Sequence, residues 1–562
     1  MEEIKINGLT VIKGDFEPEG KYRSELSNLM IEKFGAGPYS EQAKVREVIT
    51  FAFKYFCGKF NEICELESAA HFYRYIMSLH EQSIEIAFLA KDSDYPEGYS
   101  KENIALYRRI LKWILEKACD VPLQEEETIY EDFIKKAHWL LNELLYIGEM
   151  IFTCATVYAE QDMIEDVAEI VFDEDNQFVI GHKHHYDFVI DRIKISYGGH
   201  AFKHVVDEKP VEDLGAALKR CFGIDYGALT TVIQELHKLI VDKGGQYCGF
   251  DWESLPLSAE SMFRADVNNA RQIYKGLTLN RDNKLPLEEL VCKPYSMNRY
   301  IHRPVLIWNI GGQDFALVGE NAWRESIIEL TSNKIPWGKA PEEWLLNQCF
   351  KTYMHSKEDE HDKWLDHEVE KRLMSKNLQY DRNLTSLHTS AGRLSLNIPD
   401  VGEMDFIIVD HNSRKIFVTD CKHLLGRYDM MSQKNDFANF TKSNGYNQQI
   451  ANKIAFIRSH IADLDFHIRA KYATDARDIT TYEIEGVFII NTPTFYMFNS
   501  DYRIYTVDIA LEAMTGELQD PEFTVILDEE EQQTIFRIKY PYFRKPDYHL
   551  IDLLEIETSE NE

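Results

Sequence analysis

Gly402-Glu403-Met404-Asp405-Phe406-Ile407-Ile408-Val409-Asp410-His411-Asn412-Ser413-Arg414-Lys415-Ile416-Phe417-Val418-Thr419-Asp420-Cys421-Lys422 is the stretch that decides the reading. Its two apolar runs are β-branched and aromatic, and Asp410 to Arg414 between them has turn composition. The spacing predicts an antiparallel hairpin. In a strand, residues i and i+2 share a face. Asp420 and Lys422 therefore point together, and so do Glu403 and Asp405. Cys421 turns away into packing, which leaves its backbone carbonyl for a metal shell. Two carboxylates at one edge of a sheet can hold Mg²⁺, and a neighbouring ammonium can hold a water or a phosphate oxygen. This is the minimal equipment for metal-assisted phosphodiester hydrolysis.

The flanking sequence predicts further elements. His361 to Lys376 has Trp364, Leu365, Val369 and Leu373 at helical spacing. At about 100° per residue, Glu368 falls between Leu365 and Trp364 on that apolar face. A glutamate aimed at a core is costly unless it is paired or ligates a cation. Glu370 projects toward solvent. Leu394 to Ile398 alternates as a short strand. Tyr446 to His460 is a helix with Tyr446, Ile450, Ile454 and Ile457 as its buried stripe, and Gly486 to Ile490 is a further strand.

This block resembles the PD-(D/E)XK nuclease superfamily, in particular its Mrr-like and NERD-like branches, whose strand opens on Gly-Glu-hydrophobic-Asp. The likeness covers roughly Glu360 to Thr506, about a quarter of the chain. It implies an α/β fold with a restriction-endonuclease-like α-β-β-β-α-β core. It also implies that Asp405 and Asp420 bind the metal and that Lys422 supports the attacking water or the transition state. Pro399-Asp400 is a literal Pro-Asp pair, but it precedes the strand, and Asp405 has the better context. Related nucleases carry a helical glutamate and a glutamine after the hairpin. Glu368 and Gln449 are the matching positions, since Gln448 points nearly opposite the stripe. The implied metal shell is Asp405, Asp420, Glu368 and the Cys421 carbonyl, and the implied cofactor is Mg²⁺ or Mn²⁺.

The chain has 562 residues, 44% hydrophobic and 28% charged, as globular proteins do. Its start, Met1-Glu2-Glu3-Ile4-Lys5, has no signal-peptide character, and no apolar run reaches spanning length, so cytoplasmic residence and no membrane partner are expected. Nine scattered cysteines without a Cys-x-x-Cys pair predict reduced thiols in packing and neither a disulfide framework nor a zinc ribbon. Cys421 is expected to be a core thiol. The net charge of −32 opposes phosphate contact, yet His411 to His460 holds eight cations and three anions, a net +5.

Four regions are expected. Residues 1–160 are helical, and 161–335 are mixed, with strands at Ile170–Phe172, Phe178–Ile180 and Phe188–Ile190. Helices are expected near Asp225–Asp242 and Ala259–Gly276, and a Gly311-Gly312 hairpin follows at Arg303–Val318. Residues 336–515 hold the nuclease-like domain, and 516–562 a C-terminal hairpin and acidic tail. His182-Lys183-His184-His185 with Asp187 is an ordinary polar strand, since His184 and His185 face opposite ways. No Gly-x-x-x-x-Gly-Lys-[Ser/Thr] loop is present, which argues against an ATPase. The expected function is a metal-dependent endonuclease acting on nucleic acid, DNA before RNA, in bacterial anti-phage defence or restriction. The helical N-terminal region is expected to serve regulation, a protein partner or a second copy of the chain. The competing expectation is a noncatalytic nucleic-acid-binding or assembly subunit with the same fold.

Overall fold

The computed structural model describes every residue except 1, 16, 97–98, 126–129, 165, 173–176, 184–207, 242–246, 377, 426–428, 474–476, 499, 518–521, 530–531, 540–554 and 558–562. The chain forms two compact units. One holds Met1–Tyr158, Ala168–Gly181 and His204–Asp359, and the other holds Ala159–Val167, His182–Lys203 and Glu360–Glu562. The regions expected to separate near residue 160 thus fold largely together. The class is mixed α/β, as expected.

The first unit opens on a hairpin, β1 (Glu2–Ile6) and β2 (Leu9–Lys13), that the sequence reading missed. Asn7 and Gly8 turn it with positive φ of 50° and 82°. Helices α1 (Glu17–Phe34), α2 (Gln42–Leu66), α3 (Ala70–Leu89), α4 (Lys101–Lys117) and α5 (Tyr130–Glu160) follow. Their buried residues sit at the expected helical spacing, for example Ile110, Leu111, Ile114 and Leu115. One correction concerns α5. Asp132–Glu160 is long and apolar enough to cross a membrane, although 78% of its most apolar window is buried inside the fold. It is a core helix by its surroundings.

Strands β3 (Ala168–Phe172) and β4 (Phe178–His182) form where expected. The strand expected at Phe188–Ile190 lies outside the described residues, as do His184, His185 and Asp187. His182 Nε2 lies 3.1 Å from Glu160 Oε2. After α6 (Glu208–Phe222) and α7 (Tyr226–Val241) come β5 (Tyr247–Phe250), α8 (Ser254–Phe263) and α9 (Val267–Gly276). One helix was expected over Ala259–Gly276. It is interrupted because Arg264 takes a left-handed φ of 54° and Asp266 caps a new start, accepting from Asn268 N at 3.0 Å and Asn269 N at 2.9 Å. Strands β6 (Thr278–Leu279), β7 (Val305–Ile310) and β8 (Gln313–Gly319) complete a sheet of order β5-β8-β7-β6. Helices α10 (Leu287–Cys292), α11 (Glu320–Asn333) and α12 (Glu342–Leu345) follow in and around it.

The expectation of reduced cysteines needs a correction. Cys221 and Cys349 form a disulfide across 128 residues of chain. The other described thiols stay unbridged, and Cys57, Cys64, Cys119 and Cys154 are buried as expected.

Helix α13 (Gln348–Lys376) carries the chain into the second unit. There, β9 (Gln379–Leu384), β12 (Met404–Asp410), β13 (Lys415–Lys422), β14 (Glu483–Ile490) and β15 (Arg503–Thr506) form a sheet of order β15-β14-β13-β12-β9. The β9–β12 and β12–β13 pairings are antiparallel, and the β13–β14 and β14–β15 pairings are parallel. The hairpin expected at Asp405–Lys422 is thus present. Its turn is built by the buried Asp410, whose carboxylate accepts from Asn412 N at 2.9 Å and Ser413 Oγ at 2.5 Å. The strand expected at Leu394–Ile398 is displaced. It contributes to β11 (Gly392–Ser395), which pairs with β10 (Ser386–Thr389) in a separate ribbon. The strand beside β12, at that edge of the sheet, is β9 instead. Its sequence, Gln-Tyr-Asp-Arg-Asn-Leu, hides it because an edge strand need bury only part of one face.

The sheet is covered on both faces. Leu365, Val369 and Leu373 of α13, with Ala510, Leu511 and Met514 of α17 (Ala510–Met514), pack with Phe406, Ile408, Phe417, Val487 and Ile489. The opposite face receives α15 (Tyr446–Ser459), reached through α14 (Met430–Thr441) and followed by α16 (Ile461–Lys471). Gly486 permits the close approach of α15. A Cβ there would lie 2.6 Å from Ile454 Cδ1 and 3.1 Å from Ile450 Cδ1. The expected C-terminal hairpin is β16 (Glu522–Glu529) with β17 (Gln532–Lys539), joined by β18 (Glu555–Glu557).

Candidate active site

Strand alternation and register place the acids. Phe406 pairs with Thr419 across the hairpin, so Asp405 stands opposite Asp420 on the face that α15 covers. Phe406, Phe417 and Cys421 project to the other face, into the α13 core. Cys421 is therefore a packing thiol, as expected, and burial pushes it well above the usual thiol range. Its backbone N–H donates to Asp405 Oδ2 at 2.6 Å.

Asp420 is almost fully buried. Two lysines hold it, one against each oxygen. Lys453 Nζ, from the middle of α15, donates to Asp420 Oδ1 at 3.0 Å and is itself buried. Lys422 Nζ lies 2.8 Å from Oδ2. That second contact is a close charge pair. Lys422 Nζ also sits 4.5 Å above the Tyr446 ring, at the start of α15.

The electrostatics separate the two acids. Burial works to raise Asp420, but Lys422 and Lys453 outweigh it and hold the carboxyl below its ordinary value. Asp405 is pushed up to about 8, first by burial, then by the Asp420 charge and a hydrogen bond between the two carboxyls. Like charges this close cannot both ionise without a cation. Lys422 loses charge stability to burial yet ends raised, because Asp420 more than compensates.

Helix α13 corrects the expected phase. Leu365, Val369 and Leu373 are buried, but Trp364 is 48% exposed. Glu368 is therefore off the buried line, and its described partner is Lys371 at 3.9 Å. Glu370, expected to face solvent, is the more buried of the two. It pairs with Arg382 and accepts from Tyr380 Oη at 3.3 Å. The acid next to the buried line is Asp366, which lies within electrostatic reach of the Cys421 thiol. Beyond the strand end, His423 stacks on His361, with centroids 3.5 Å apart, and its Nδ1 lies 2.9 Å from His361 O.

Gln449 is exposed, and its amide donates to Asn444 O at 3.2 Å. The α15 residue that reaches the acids is Lys453, one turn further on. A signal was available in the sequence. Lys453 lies at the edge of the buried stripe, beside Tyr446 and Ile457, and a buried cation demands a partner for the same reason a buried glutamate does.

A divalent cation would meet two carboxyls here: Asp420, already paired with Lys422 and Lys453, and Asp405, which would ionise on binding it. Among the described residues, no group of three or more His, Cys, Asp or Glu side chains could hold a metal. Two carboxylates suffice for Mg²⁺, which keeps several waters and takes further oxygens from a phosphate. Compared with protein-family models, curated proteins and solved structures, the chain finds no match.

Proposed function

We propose that this protein is a Mg²⁺- or Mn²⁺-dependent nuclease that hydrolyses phosphodiester bonds, with DNA the favoured substrate, and that it serves in restriction or anti-phage defence. The observation that carries the hydrolytic reading is the pair Asp405 and Asp420, opposite one another on a buried sheet face, with Lys422 and Lys453 on Asp420. Asp405 and Asp420 would hold the cation, which supplies Lewis acidity to the phosphate and to the attacking water. Lys453 keeps the Asp420 carboxylate ionised and fixed. Lys422, over the Tyr446 ring, donates to the nonbridging phosphate oxygen as charge builds there. Asp405 takes part only in its ionised form, so cation loading and loss of its proton go together.

The test is incubation of the purified chain with supercoiled plasmid, linear DNA and RNA, in Mg²⁺, Mn²⁺ or EDTA. Metal-dependent cleavage that disappears in Asp420→Ala is the expected result. Cleavage that survives EDTA overturns the metal mechanism. Binding of nucleic acid without cleavage in any metal would favour the noncatalytic subunit.

A further inference from the structure

The disulfide of the first unit is set in a frame that does not depend on it. Cys221 lies in the last turn of α6 and Cys349 in the first turn of α13, with Cα atoms 5.4 Å apart. Asn347 links the two places. Its Oδ1 accepts from Cys349 N at 2.9 Å and from Phe350 N at 3.3 Å, capping α13, while its Nδ2 donates to Cys221 O at 2.9 Å. The next residue after each cysteine is a fully buried phenylalanine, and the Phe222 and Phe350 rings are 5.8 Å apart. Further along the same two helices, Lys357 Nζ pairs with Asp213 Oδ2 at 2.8 Å. None of these ties runs through the sulfur–sulfur bond.

The two cysteines are not deeply buried. Cys349 is exposed and Cys221 is partly buried, in contrast to the four deeply buried thiols of this unit. Cys349 also occupies the positive end of a 29-residue helix, which favours negative charge on its sulfur. Exposure gives an incoming thiolate access, and a frame that persists gives the reduced pair a route back.

We propose that Cys221 and Cys349 form a reversible thiol–disulfide exchange site for low-molecular-weight thiols. A small thiolate attacks the exposed Cys349 sulfur, forms a mixed disulfide there and releases Cys221 as the thiolate. A second small thiolate attacks the external sulfur of that mixed disulfide and releases Cys349. The protein's S–S bond breaks and one bond between the two small thiols forms. Two electrons pass from those thiols to the protein, and their two protons end on Cys221 and Cys349. The oxidised small-molecule disulfide reverses both steps. This site also reconciles an observed disulfide with a cysteine pattern that predicts reduced thiols.

The experiment uses the full chain. It is treated with millimolar reduced glutathione or left untreated, alkylated with N-ethylmaleimide in the native state, and mapped by peptide mass. The expected result is alkylation of Cys221 and Cys349 only after glutathione, with an unchanged far-ultraviolet circular dichroism spectrum. Oxidised glutathione should then restore protection. Cys292, exposed and outside the disulfide, is labelled in both arms and reports accessibility. In Cys221→Ser, oxidised glutathione should leave a single adduct on Cys349. The proposal is overturned by labelling of the pair without reductant, by labelling that requires denaturation, by loss of fold on reduction, or by an unmodified Cys349 in Cys221→Ser.

Discussion

Glu116 in the first unit and Asp420 in the second are both buried carboxylates, and they are partnered in different ways. Glu116 accepts from Arg299 Nε at 3.0 and 3.1 Å and from Tyr300 N at 2.9 Å, while Arg299 Nη1 is bonded to Leu290 O at 2.8 Å. Charge and hydrogen bonds are matched within the chain. Asp420 has a lysine against each oxygen, yet a second carboxyl stands opposite it on the same buried face. A matched buried pair is a structural device, costly to break. A second carboxyl held against such a carboxylate gains most from a cation the chain does not supply.

The largest expected effect tests the second half of that contrast. Asp420→Ala or Asp405→Ala should abolish cleavage in the plasmid assay. Lys422→Ala should lower turnover on the order of 10²-fold or more, the usual loss for a transition-state donor. Lys422→Arg should also lose most activity, since a planar guanidinium cannot replace a compact ammonium. Near-normal cleavage by any of these variants removes that residue from the site.

The first half of the contrast is tested by stability. Glu116→Ala leaves Arg299 buried and unpaired, and should cost about 3–5 kcal/mol in denaturant unfolding. Asp420→Ala strands Lys453 and Lys422, but Asp405 beside them is then freed to ionise and take over their charge, so it should cost less. Equal losses from the two variants would erase the distinction.

Asp405 gives a pH signature. Its folded-state value is raised from 3.8 to about 8. Between those values the folded chain keeps a proton that the unfolded chain has released. Its contribution to stability therefore declines as pH rises from near 4 to near 8. Asp405→Asn lacks this penalty. Its melting temperature should match wild type near pH 4, gain steadily on it up to about pH 8, and gain no more beyond. A gap that stays constant over that range would refute the raised value. Calorimetric titration with Mg²⁺ at pH 7, in buffers of different ionisation enthalpy, should show release of about one proton.

Smaller effects probe the packing around the site. Gly486→Ala pushes a methyl into Ile450 and Ile454 and should cost about 1–3 kcal/mol by overpacking. Smallest are the helix carboxylates. Glu370→Gln should cost less than about 1 kcal/mol, as a partly exposed ion pair does. Glu368→Gln should cost less again and leave Mg²⁺ affinity unchanged. A clear loss of Mg²⁺ affinity in Glu368→Gln would restore the helix phase expected from the sequence.

The features legible from the chain alone are local ones. The β-branched and aromatic runs Phe406–Val409 and Ile416–Thr419, with the turn chemistry of Asp410–Arg414, specified the hairpin, because strand preference and turn depend on neighbours a few residues apart. The two-residue period of a strand put Lys422 beside Asp420 and turned Cys421 away. The stripe at Ile450, Ile454 and Ile457 specified α15 for the same kind of reason. The tertiary structure decided what depends on distant partners. Cross-strand register set Asp405 against Asp420, and docking of α15 carried Lys453 to an aspartate 33 residues earlier in the chain. Packing of α13 turned Trp364 outward and Glu370 toward β9, since an apolar stripe wider than its contact leaves one edge in water. The Cys221–Cys349 bond joins positions 128 residues apart, and no spacing rule in the chain could have paired them.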